Sequence, residues 1–147
     1  MKTSHIFCLV IAVGVTGCGG VSEPTDARTL AKCYSAEFGA EPPAGVTNLK
    51  AKQVVVGDAG GAWLRFEANS NIITQIVSNH FLVPSDRMTF ISRSGGANTP
   101  SWWKPEEDSL TVFWINNQWT KGSNYSQAVL GTDKARRVVY FHHGISF

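Results

Sequence analysis

From Ala62 to Ala68 the chain alternates, with Ala62, Leu64 and Phe66 on one side and Trp63, Arg65 and Glu67 on the other. A period of two is the mark of a strand with one face turned to a core. Val46 to Val56, rich in β-branched residues, precedes it across Gly57-Asp58-Ala59-Gly60-Gly61. The two runs therefore read as an antiparallel, half-buried hairpin. Its apolar face needs a covering layer. Asp26 to Phe38 offers one, because Ala27, Leu30, Ala31, Tyr34 and Phe38 recur at helical spacing between Thr25 or Asp26 as N-cap and Gly39 as stop. Asn69 to His80 offers a second, with Ile72, Ile73, Ile76 and Val77 on one side of a helix.

Further along, Met88 to Ser92 reads as a short strand, Arg93 to Pro105 as irregular chain, and Leu110 to Ile115 as a buried strand. Tyr125 to Leu130 and Arg137 to His142 form a late hairpin joined through Gly131-Thr132-Asp133-Lys134. The order implies an α+β fold: a single small domain with an N-terminal helix, antiparallel hairpins and a second helix packed on the sheet.

The N-terminus obeys a different logic. Met1 to His5 carries Lys2, Ile6 to Val15 is an apolar run, and Thr16 and Gly17 are small residues before Cys18. About ten apolar residues suit a signal peptide and are too few to cross a bilayer as a helix. Val15-Thr16-Gly17-Cys18 resembles the lipobox of prokaryotic membrane lipoproteins, with Val in place of the commoner Leu. The resemblance implies that residues 1–17 are removed and that Cys18 receives lipid. It further implies a lipidated tether over 18–25, a globular domain over 26–147, and a membrane as partner through the lipid on Cys18. Gly19, where an Asp would favour inner-membrane retention, favours the outer membrane if the source is Gram-negative. Cys8 would leave with the signal and Cys18 would be acylated, so Cys33 stands alone and no disulfide can staple the mature domain.

Composition excludes some functions. Hydrophobic residues make up 43% of the 147 residues and charged ones 16%, a globular balance. Without Lys2, 12 basic residues face 11 acidic ones, and apart from Arg136-Arg137 the basic ones are scattered. Nucleic acid is therefore not an expected partner.

Few residues suggest chemistry. His142 and His143 are adjacent on a strand and point to opposite faces, so they do not readily share a metal ion, and a site would need one of them with His80 or carboxylates from distant segments. One partly buried and one exposed imidazole is the expectation. Glu106-Glu107-Asp108 could supply paired carboxylates, but consecutive acids after Pro105 suit a solvated turn. Cys33 lies on the flank of the first helix's stripe with no motif of a thiol enzyme around it. Gly57 to Gly61 lacks the Lys-Ser/Thr of a phosphate loop. No metal and no cofactor is implied.

The most unusual segment is Ser101-Trp102-Trp103-Lys104, bracketed by Pro100 and Pro105. Held extended, it would turn one indole inward and leave the other outside beside Lys104, where Trp63 could extend a binding patch. The leading expectation is thus a non-enzymatic envelope lipoprotein that binds a protein or cell-wall partner, such as an inhibitor or immunity protein. The alternative is a small envelope hydrolase using Glu106, Asp108 or His142.

Overall fold

The computed structural model describes residues 20–57, 59–120 and 126–145. The signal segment 1–17, the lipobox with Cys18, Asp58 of the hairpin turn and Tyr125 of the late hairpin lie outside these described residues. Within them the chain is a small α+β domain of three helices and one seven-stranded antiparallel sheet. In chain order the elements are β1 (Gly20–Ser22), α1 (Ala27–Phe38), β2 (Thr47–Val56), β3 (Ala59–Glu67) and α2 (Ser70–Asn79). They continue with β4 (Val83–Ser85), α3 (Arg87–Ser94), β5 (Leu110–Asn116), β6 (Ser126–Asp133) and β7 (Val138–Ile145). The strand order is β1-β2-β3-β7-β6-β5-β4. No helix among the described residues is long and apolar enough to cross a membrane.

The first hairpin, α1 and α2 form where the sequence pattern places them. The Asp26 side chain accepts from the Thr29 N–H and Gly39 ends α1 at φ 71°, while Asn69 caps α2 through the Ile72 N–H. These caps satisfy backbone donors that the first helical turn leaves free.

β3 is covered on both faces, not on one, while β2 stays largely exposed. Leu64, Phe66, Val139, Phe141 and Leu130 meet α1 and α2 through Tyr34, Phe38, Ile72, Ile73 and Ile76. Trp63, Tyr140, Val129 and Phe113 meet Phe90 of α3 and Trp103 on the other side. The positions expected to face water are covered by the segment after α2.

Met88 to Ser92 belongs to helix α3, not to a strand. Asp86 caps it through the Thr89 N–H and hydroxyl, and Phe90 and Ser94, one turn apart, both face the sheet. Thr, Phe and Ile suggest a strand locally, but the cap and the i,i+4 burial decide the outcome. Gly131 is what lets α3 approach: a Cβ there would come within 3.1 Å of the Phe90 ring and 3.0 Å of Leu110. It lies inside β6, so the late turn falls at Lys134–Arg137 rather than at Gly131–Lys134. There the Asp133 carboxylate accepts from the Arg137 and Val138 N–H groups.

Two short strands, β1 and β4, form the sheet edges where the sequence shows no period. β1 takes Gly20–Ser22 out of the expected tether, pairing Gly20 with Val55 and Ser22 with Gln53.

The Trp102-Trp103 segment is a turn and not extended, closed by Trp103 N–H donating to the Pro100 carbonyl. Both indoles pack on the same cluster, to different depths. Trp103 is buried edge-on against Tyr140 with ring centroids 4.9 Å apart, and Trp102 is half-buried with its Nε1 donating to Glu23. Replacing Trp103 by Ala should cost about 3–5 kcal/mol, the usual consequence of emptying an aromatic site. Trp102→Ala should cost about 1 kcal/mol, one exposed hydrogen bond and partial burial. Urea melts of the two variants check this, and equal losses would contradict it.

Candidate functional site

The neighbours His142 and His143 lie on opposite faces of β7, as a strand requires. Both are buried, at 9% exposure each, so the expected exposed imidazole does not exist. Their surroundings differ completely.

His143 faces α1. Its Nδ1 lies 3.0 Å from Oε2 of Glu37, and its Nε2 lies 2.8 Å from the Ser126 hydroxyl. A carboxylate only accepts, so Nδ1 carries a proton in this arrangement. The carboxylate also accepts from Trp119 Nε1, and the Ser126 oxygen accepts from the Thr120 N–H. Order and spacing match the nucleophile–base–acid chain of hydrolases. However, Ser126 has 0% exposure, and its oxygen is enclosed by the Thr120 N–H, the Thr120 hydroxyl and His143. A nucleophile needs a carbonyl within reach; this chain ties α1 to β6 and β7 instead. No local pattern announces it, since Glu37 is 106 residues from His143.

His142 faces α3 and has no hydrogen-bond partner among the described residues. Its ring lies 4.6 Å from that of Trp63, its cross-strand neighbour. The Trp63 indole is fixed by donation from Nε1 to the Ser94 carbonyl. Gly61 makes room for the pair: a Cβ there would meet Trp63 at 3.1 Å and His142 Nε2 at 3.3 Å.

Together the two rings border a cleft of about 280 Å³ between the β2–β3 hairpin and the segment after α3. Val54, Val56 and Ala59 line one side, Gly95, Gly96, Ala97 and Asn98 the other. Among the described residues no charged side chain lines it. Burial pushes the His142 imidazole down to about 4, with the neighbouring His143 adding to the effect. At neutral pH it is therefore an uncharged group, able to donate through one nitrogen and accept through the other.

The other residues singled out in the sequence lie elsewhere. Trp63 is core, 6% exposed, and serves the cleft as a wall rather than an outward patch. Lys104 is exposed and pairs with Glu107 at 3.0 Å. Glu106 is exposed, 4.0 Å from Arg87. Asp108 is not solvated like its neighbours. Its Oδ2 accepts from Arg65 at 2.8 Å and from the Tyr140 hydroxyl at 2.7 Å, which fastens the 105–109 turn to the sheet. Glu106, Asp108 and His142 share no hydrogen bond. Cys33 is buried in the α1 core, where burial pushes its thiol up, away from the reactive thiolate. Among the described residues no cluster of three His, Cys, Asp or Glu side chains could hold a metal ion.

No family model matches the chain, and no curated protein or solved structure is significantly similar to it.

The depressed pKa of His142 links stability to pH. As pH falls through 6.5 the unfolded chain binds a proton that the native chain refuses until about pH 4. Stability is thus complete above pH 6.5 and declines toward pH 4. A displacement of this size is worth about 3 kcal/mol. His142→Phe should flatten this part of the profile. Denaturant titrations between pH 4 and 7 measure it, and identical slopes in both proteins would refute the assignment.

Proposed function

We propose that this chain is a bacterial envelope lipoprotein, anchored through lipid on Cys18, whose domain is a non-enzymatic binding module. One observation carries the binding reading: His142, nine-tenths buried and neutral, lines a cleft and has no hydrogen-bond partner among the described residues. Its ring nitrogens are not sealed from water, so a ligand that hydrogen-bonds the imidazole takes the place of solvent there.

The chemistry of the lining selects the ligand. Among the described residues of the lining no side chain is charged, so a charged ligand would find no counter-charge from them to offset its lost hydration. An uncharged group with an apolar body and one hydrogen-bonding atom suits valines, an indole edge, glycine backbone and a neutral imidazole. The volume is close to the lower end of the ~300–1,000 Å³ of small-molecule sites. Such a group fits whether it arrives free or is presented by a protein or cell-wall partner. The carboxylates of the hydrolase alternative are engaged with Arg65, Tyr140 and Arg87, which favours binding over catalysis.

Two experiments test the two halves. In cells fed labelled palmitate, the wild type should incorporate label and Cys18→Ser should not; equal labelling would remove the anchor. Ligand-observed NMR with phenol and benzyl alcohol, beside benzoate and benzylamine, tests the cleft. The uncharged pair should bind and the charged pair should not. His142→Phe should weaken binding about tenfold, the value of one hydrogen bond. Unchanged affinity in that variant would place the ligand elsewhere.

A further inference from the structure

Resting on the lipid-anchor reading above, we propose that one end of the sheet lies against the bilayer surface: the end bearing the β2–β3 tip and the close of α2. The first observation is where the chain leaves the fold. Gly20 pairs with Val55, so the backbone upstream of Gly20 departs beside the hairpin tip. In sequence only Gly19 separates Gly20 from Cys18, and two Cα–Cα steps reach no more than about 7.6 Å. A lipid on Cys18 would hold this corner at the headgroups.

The second observation is what the surface carries there. Val21, Val55 and Val56 are 65%, 56% and 58% exposed around the departure point. Phe81 is 82% exposed and lies at the same end of the sheet, because the preceding His80 carbonyl accepts from Asn116 at the end of β5. Phe81 sits at φ 53°, a left-handed conformation in which a bulky side chain is strained. Glycine would end α2 more comfortably and would spare the exposure. Water gives no reason to keep a phenyl ring there; an interface with lipid does.

The opposite end of the sheet is charged. Exposed Lys134, Arg136 and Arg137 occupy the β6–β7 turn. Arg87, Glu106 and Glu107 gather before and beside β5. Charge predominates at this end, where Met88 is also exposed, while Arg93 reaches Gln127 toward the anchor end, where a basic side chain suits anionic headgroups. The His142 cleft, lined by Val54 and Val56, then lies at the membrane-proximal end.

The test uses the full lipidated chain in vesicles of phosphatidylethanolamine and phosphatidylglycerol. With Cys33→Ala in the background, single nitroxide labels go on Val56→Cys, Phe81→Cys and Ala135→Cys. Labels at 56 and 81 should be several-fold more accessible to oxygen, relative to a water-soluble nickel chelate, than the label at 135. Intact mass separates the two ways to fail. A lipid-bearing Cys18 with labels at 56 and 81 as open to nickel as the one at 135 overturns the orientation alone. No lipid mass on Cys18 overturns the anchor and the orientation with it.

Discussion

β7 is the strand on which every other part of this domain depends. It runs between β3 and β6 near the centre of the sheet, and Val139 to His143 are all buried. Its odd-numbered residues Val139, Phe141 and His143 face α1 and α2, while Tyr140 and His142 face α3. A strand covered on both faces must satisfy water-seeking groups internally or leave them beside a cavity. β7 carries three such side chains, and each meets a different fate. Tyr140 donates to Asp108, His143 joins Glu37 and Ser126, and His142 borders the cleft.

The contrast between the two histidines shows that sequence neighbours need share no environment. For His143, removing Glu37 would leave a buried imidazole donor with one partner fewer, and an unsatisfied buried group commonly costs about 1–3 kcal/mol. The chain is a fastening for α1. For His142 no fastening is present: Trp63 packs on the ring without hydrogen-bonding it, and Gly61 removes the side chain that would otherwise fill the space. Rigid surroundings and a free polar atom are the conditions that favour binding at low ordering cost.

How much of this was legible in the sequence depended on range. α1, α2 and the first hairpin were legible because caps and periodicity act over four to ten residues. α3 was misread as a strand because its local residues favour β structure and the deciding factor, Phe90 docking over Gly131, is 41 residues distant. β1 and β4 have three residues each, too few to display a period. At the site, the opposite facing of the two histidines followed from strand geometry alone. The burial of both did not, because the covering elements α1 and α3 come from chain 50 to 115 residues earlier. The Trp102-Trp103 pair was only partly legible: Trp103 is buried, but the segment is a turn and Trp102 packs half-buried against the same cluster rather than standing outside. Its neighbour Asp108 was misjudged as solvated, since only the fold brings Arg65 and Tyr140 to it.

Under the lipid-anchor proposal, β1 would join the anchor to this architecture. A flexible tether would let a domain tumble above its membrane, and its orientation would carry no meaning. The pairing of Gly20 with Val55 would limit that freedom, because in sequence only Gly19 separates Gly20 from Cys18. Short reach would turn an attachment point into an orientation. Apolar side chains near the tether would then face lipid, and Val21, Val55 and Val56 would carry less aggregation liability than the same patch on a freely diffusing domain. The exposure and left-handed backbone of Phe81 would be offset only in the anchored state, where its ring leaves water.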